Sequence, residues 1–271
     1  MDLSENEVEA LSEEFKKLIN LEELDLDGTY VDEYEEDPFY HLANLTSLKY
    51  LNLAQLDFDF GFPKLIPQSL VTLDLRKVLL GEDITYLKNL KNLYAEEIGI
   101  FGNSTAIPDS LERMHMYNAY SDEALRLIRI QKNLKYLNIG RNAMNNVSVS
   151  AFYDGVLNTK VCENLLELNI SNIYGRIIQH LPENAFEKCP NLQVLDLSVL
   201  RPQNTTGLNE LKSAWFEHNP NLQVVKLFNN RFDCQAETFE QELERLKKNS
   251  FVLQDSDGKC VPVYVLIFSD R

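Results

Sequence analysis

One spacing recurs nine times along the chain: an apolar residue, two variable residues, an apolar residue, one variable residue and a third apolar residue. It starts at Leu21, Leu48, Leu70, Leu90, Leu111, Leu134, Leu165, Leu192 and Leu222, in steps of 27, 22, 20, 21, 23, 31, 27 and 30 residues. Two apolar residues around a single variable one are the period-two signature of a strand with one buried face. A unit of this length cannot bury that face alone, so its copies must stack on one another. The spacing therefore predicts a continuous α/β solenoid in which every copy adds one strand to a parallel sheet.

The clearest copy is residues 181–198, LPENAFEKCPNLQVLDLS, with Leu192, Leu195 and Leu197 in the apolar positions. Phe15, Ile84, Phe186 and Phe216 each stand six residues before the first leucine of a copy and are expected to fill the core behind the sheet. Two copies are degenerate: one places Ala95 in a leucine column, the other Met114 and Met116. Residues 1–8, MDLSENEV, match the later part of a tenth copy, with Met1, Leu3, Asn6 and Val8 facing inward.

The LxxLxL units resemble the leucine-rich repeat across nearly the whole chain. That resemblance implies a horseshoe with its parallel sheet on the concave face. It also implies an Asn after each strand that ties turn backbone groups together, and here only Asn6, Asn142 and Asn230 keep it. Thr29, Leu56, Val78, Ile98, Ala119, Ile173 and Leu200 stand in the other copies. Apolar side chains cannot make those bonds, so backbone turns or water must serve there.

Residues 1–232 are read as the repeat array and 233–271 as a C-terminal cap. Within the latter, a helix is expected over residues 238–248, with Phe239, Leu243 and Leu246 on one face. The NNRFDC run, Cys260 and Pro262 look like the cysteine-rich cap of extracellular leucine-rich-repeat proteins such as Toll-type receptors. The resemblance implies a Cys234–Cys260 bridge; Ala236 stands where that family has a further cysteine. An array needs caps at both ends, and the first copy is partial, so an N-terminal truncation of a longer protein is expected. Cys162 and Cys189 each stand three residues before a first leucine, in a column filled elsewhere by Leu18, Leu45 and Leu87. They are inward neighbours in consecutive coils, within bridging range, which leaves open both a disulfide and two buried thiols.

Several function classes are disfavoured. A net charge of -16 opposes binding to a nucleic-acid backbone. The longest apolar run, residues 261–268, is too short to span a bilayer, and the acidic residues after Met1 do not form a signal peptide. The cysteines have no C-x-x-C spacing and the histidines are scattered, so no metal site or cofactor is expected. No nucleophile–base pair or phosphate loop can be read, so an enzyme is not expected.

What remains is recognition of a protein ligand or co-receptor. The outward residues of the strands gather Tyr94, His115, Tyr117 and Tyr136 near the middle, beside Asp74 and Arg76, and these are the candidate contacts. Exposed aromatics also follow from strand propensity alone. Sequons at Asn103, Asn146 and Asn204 fall in expected loops. Asn169 would place glycan on the strand face, and Asn44 is expected to be too buried for use. Residues 32–37 are an acidic loop, a solvated face or a docking site for a basic partner, with Tyr34 a sulfation site if the protein is secreted. Residues 142–158 and 201–207 are two further loops. The leading expectation is an extracellular receptor-ectodomain fragment or secreted binder; the alternative is a cytosolic leucine-rich-repeat adaptor.

Overall fold

The computed structural model describes residues 1–8, 11, 13–31, 39–56, 66–78, 83–95, 106–116, 122–141, 149–173, 181–199, 208–230, 232–246, 252–254 and 265–266. The chain forms two compact units, Met1–Ala119 and Tyr120–Arg271.

In the first unit, β2 (Glu23–Asp25), β4 (Tyr50–Asn52), β5 (Thr72–Asp74), β6 (Asn92–Tyr94) and β7 (Arg113–His115) pair in parallel, each in register with the next. Their central residues Leu24, Leu51, Leu73, Leu93 and Met114 are buried, as are Leu26, Leu53, Leu75, Ala95 and Met116 two positions on. Ala95 and the two methionines thus occupy leucine columns without breaking the stack. The partial first copy pairs through an Asp2–Asp25 bridge, with the Leu3 amide donating to the Asp25 carbonyl. Its side chains are less enclosed than expected: Leu3 is half-buried and Met1 is 51% exposed. Outside the main ladder, β1 (Glu7–Val8) pairs with β3 (Tyr30–Val31).

One turn closes the strand of many coils. The side-chain oxygens of Asp2, Asp25, Asn52 and Asp74 accept from the amide two residues on, and those of Asn138, Asn169 and Asp196 do the same in the second unit, at 2.8–3.1 Å. One residue further the backbone turns left-handed in six of these coils, at Glu5, Gly28, Gln55, Lys77, Arg141 and Asn172, and it does so at Asn229 in the β11 coil, with φ between 54° and 63°. A side chain in that conformation costs about 1 kcal/mol. The cost is met because the same amide continues the ladder to the next coil, as Gln55 donates to the Arg76 carbonyl and Arg141 to that of Ser171.

In the second unit, β8 (Tyr136–Asn138), β9 (Glu167–Asn169), β10 (Val194–Asp196) and β11 (Val224–Lys226) repeat the parallel arrangement. β12 (Val252–Gln254) continues it in register with β11, inside the stretch read as cap, and β13 (Val265–Leu266) then pairs antiparallel. Between strands lie α1 (Asp122–Arg129), α2 (Val149–Phe152) and α3 (Lys160–Asn164). The stretch 142–158 is therefore not all loop: a wide helical turn, Tyr153–Leu157, follows α2 and closes with the Asn158 amide on the Tyr153 carbonyl at 2.7 Å. Apolar Phe152, Val156 and Leu157 draw it into the core. α4 (Glu237–Leu246) buries Phe239 and Leu246 and half-buries Leu243. Burial raises the Glu242 pKa, but the Ser213 amide and hydroxyl and Arg245 together pull it below its ordinary value, so α4 is tied to the last coil by a carboxylate.

Ile84, Phe186 and Phe216 are buried behind the sheet, whereas Phe15 is half-buried. Leu45 and Leu87 fill the column that holds Cys162 and Cys189, but Leu18 is 38% exposed. Asn230 makes the bonds expected of the repeat, donating to the Leu197 and Leu227 carbonyls and accepting from the Leu208 amide. Thr29 substitutes for it by donating to the Leu3 carbonyl; at Leu56 and Val78 there remains the backbone turn bond that Thr29 and Asn230 also make.

Candidate protein-recognition face

The sheet of the first unit presents two outward columns. Register aligns Glu23, Tyr50, Thr72, Asn92 and Arg113 in one and Asp25, Asn52, Asp74, Tyr94 and His115 in the other. The second column looked from sequence like a row of contact residues. On β2, β4 and β5 it serves the scaffold instead: each side chain closes its own turn, Asn52 also donates to Asp25 at 3.0 Å, and Asn52 and Asp74 are 4% and 5% exposed.

On β6 and β7 the column changes chemistry. Tyr94 and His115 stack on each other with centroids 4.6 Å apart and planes 26° off parallel. Such a stack contributes about 0.5–1.5 kcal/mol beyond the area it covers.

Beside the stack, Arg76 is held by Asp74: Nε lies 2.9 Å from both carboxylate oxygens and a terminal nitrogen 2.9 Å from Oδ2. Asp74 is therefore a positioning residue, and the guanidinium it fixes is the outer group. Burial, then Arg113 and Arg76, push the His115 pKa down to about 4, so the ring is neutral at pH 7. The Tyr50 pKa is raised by burial and by Asp25 and Asp74, against an opposing effect of Arg76. Tyr50 and Arg113 thus belong to the same cluster, and the sequence reading missed both. Each is the outward residue immediately before the central apolar one, the position that Tyr136 holds on β8.

Tyr136 lies on β8 of the second unit and is half-buried. Tyr117, the sequons Asn103, Asn146 and Asn204, Cys260 and the acidic loop 32–37 lie outside the described residues. Asn44 is exposed, not enclosed, because the helical turn Tyr40–Asn44 buries Leu42 and directs its last residue outward. Asn169 accepts from the Ser171 amide and lies against Gly140, where an added Cβ would come within 3.1 Å of its Oδ1. Cys162 and Cys189 form a disulfide between consecutive coils, Cα atoms 4.5 Å apart, and both are fully buried. Cys234 is also disulfide-bonded. Among the described residues no cluster of His, Cys, Asp and Glu could hold a metal, and no helix is long and apolar enough to cross a membrane.

No protein-family model and no curated protein matches the chain. Among solved structures, an internalin from Listeria monocytogenes is similar over 92% of this chain and 71% of its own, with a TM-score of 0.50 and 19% identity. At that identity the likeness concerns the fold, and it agrees with the in-register strands of both units. The chain is a leucine-rich-repeat solenoid.

Proposed function

We propose that this chain is a non-enzymatic protein-recognition module that works outside the cell, as part of a receptor ectodomain or as a secreted binding protein. It holds a protein ligand or co-receptor on the sheet face around Tyr94, His115 and Arg76, with Asp74 setting the guanidinium. Tyr117 is a further contact residue, as is Tyr136 on the sheet face of its own unit. The observation that carries this reading is the stacked Tyr94–His115 pair, which replaces turn-closing residues on two consecutive strands. Solenoids present such faces to macromolecular partners, and aromatic and Arg side chains dominate binding energy where they cluster. Tyr94→Ala and His115→Ala each weaken ligand capture at least about ten-fold while leaving the melting transition in place. Unchanged affinity in both removes this face from consideration.

The thiol chemistry supports an extracellular compartment. A buried disulfide between coils, a second one at Cys234 and several sequons suit an oxidising environment, since structural disulfides are rare in the cytosol. The Toll-type resemblance of the cap supports the receptor form and a Cys234–Cys260 bridge. Non-reducing mass spectrometry of the native protein, with glycan mapping at Asn103, Asn146 and Asn204, tests this. Reduced cysteines with bare sequons place the protein among cytosolic adaptors.

A further inference from the structure

Resting on the extracellular reading, we propose that Asn44 carries an N-linked glycan whose first sugar lies in the cleft between the segments that lead into β4, β5 and β6. From sequence the sequon Asn44-Leu45-Thr46 is expected to be enclosed; in the structure Asn44 and Thr46 are exposed and only Leu45 is buried. The backbone makes that division. Leu45 sits at φ -80° and ψ 66°, and the Thr46 amide donates to the Asn44 carbonyl at 2.9 Å, an inverse γ-turn. With the Leu45 side chain fixed in the core, the residues on either side of it face solvent.

The acceptor atom is accessible as well. Among the described residues the Asn44 Nδ2 makes one long contact, 3.4 Å to the His41 carbonyl, and it carries two protons. Glycan transfer uses one of them. Nδ2 bonds to the anomeric carbon of a polyprenyl-diphosphate oligosaccharide, the bond from that carbon to the diphosphate oxygen breaks, and the transferase takes the proton. The remaining N–H stays free to face His41. Asn169 differs: it is half-buried, and its side-chain oxygen closes the turn after β9.

A cleft of about 480 Å³ adjoins the site. Ala43 and Thr46, on either side of Asn44 and Leu45, line it together with Ile66, Pro67, Gln68 and Tyr86. Its volume is that of clefts that hold small ligands. Buried Ile66 and Pro67 and half-buried Tyr86 offer apolar surface to the flat face of a sugar ring, and exposed Gln68 offers an amide to its hydroxyl and N-acetyl groups. The covalent tether holds the sugar at high local concentration, so seating it there needs little intrinsic affinity. None of these residues belongs to the outward columns of the sheet, so a glycan at Asn44 leaves the candidate recognition face open.

The test maps glycans on the native protein and then compares variants of the full chain secreted from eukaryotic cells. The tryptic peptide 18–49 holds no other sequon, so enzymatic deglycosylation in heavy-oxygen water reads Asn44 alone. Asn44 should be occupied, and occupancy should be lost in Thr46→Val and kept in Thr46→Ser. After trimming to a single N-acetylglucosamine, NMR should find its methyl protons against the Tyr86 ring, with a ring-current shift that disappears in Tyr86→Leu. Bare Asn44 beside an occupied Asn103, Asn146 or Asn204 overturns the inference and leaves the extracellular reading standing. If every sequon is bare, the two fall together. An occupied Asn44 whose sugar shows no contact with Tyr86, or whose methyl shift survives Tyr86→Leu, also overturns the inference. Should Tyr86→Leu not fold, the contact in the wild-type protein decides.

Discussion

The disulfide between Cys162 and Cys189 makes a stability prediction that can be worked from the structure. The bridge closes a loop with a sequence separation of 27, the step from one coil to the next. Constraining an unfolded loop of that length contributes about 3.5 kcal/mol at 25 °C. In a repeat array this contribution is local, because each coil is stabilised by its neighbours. The only tryptophan reports on the same place: Trp215 is buried and donates through its indole to the Pro182 carbonyl at 2.9 Å, and Asn219 donates to the carbonyls of Phe186 and Cys189. In a Cys234→Ala, Cys260→Ala background, reduction touches only the Cys162–Cys189 bridge and keeps both sulfur atoms in the core. Urea unfolding followed by Trp215 fluorescence should then lose about 3–4 kcal/mol on reduction. Hydrogen exchange should accelerate between residues 160 and 226, with little change over β2–β7. Because both sulfurs are fully buried, alkylation of the reduced pair in the native state should also be far slower than in the unfolded chain. A loss below about 1 kcal/mol, or equal alkylation rates, refutes the account.

Three further outcomes follow from particular contacts. An imidazole whose pKa falls from 6.5 to about 4 on folding binds protons more readily when unfolded, so His115 lowers stability as pH drops from 6.5 towards 4 and has no effect above pH 7. The difference between wild type and His115→Gln over that window should be roughly 1–2 kcal/mol, about half the value for a fully shielded ring, and an NMR titration of the His115 ring should find its midpoint near 4. Gly140→Ala brings a Cβ within 2.9 Å of the Ser171 carbonyl and hydroxyl oxygens, so urea unfolding should register a loss of about 1–3 kcal/mol. Asn219→Ala removes one of the two donors of each of the buried Phe186 and Cys189 carbonyls, which keep the Cys189 and Leu192 amides, and calorimetry should register a loss of about 1–2 kcal/mol.

The strands were legible because burial fixes period two and stacking fixes the longer step; nine LxxLxL units give nine strands in their expected places. β12 was not, because residues 250–255, SFVLQD, keep only Leu253 of the three apolar positions, and its place is set by pairing to β11. The helices α1 and α2 were missed for a related reason. They lie in the variable stretch between strands, where the repeat imposes no spacing. The turn that closes seven of the coils left its trace in Asp and Asn residues of the second outward column, but sequence alone reads a polar outward residue as surface. Only the hydrogen bond to the amide two residues on reveals that it belongs to the backbone. Conversely, Tyr50 and Arg113 carry no motif, and their membership in the cluster arises from side chains that reach across strands.

That distinction bears on where function sits. An Asp or Asn at the end of a strand here closes a turn, so its recurrence in seven coils is explained by folding alone. Tyr94 and His115 stand in that position in two adjacent coils, where their ring stack contributes about 0.5–1.5 kcal/mol beyond the area it covers. The same two coils have the shortest steps, 20 and 21 residues, and hold Ala95, Met114 and Met116 where larger or more regular leucines stand elsewhere. Departures from the repeat on both faces of adjacent strands mark the place where turn chemistry and packing explain the residues least, and the proposed contact surface lies there.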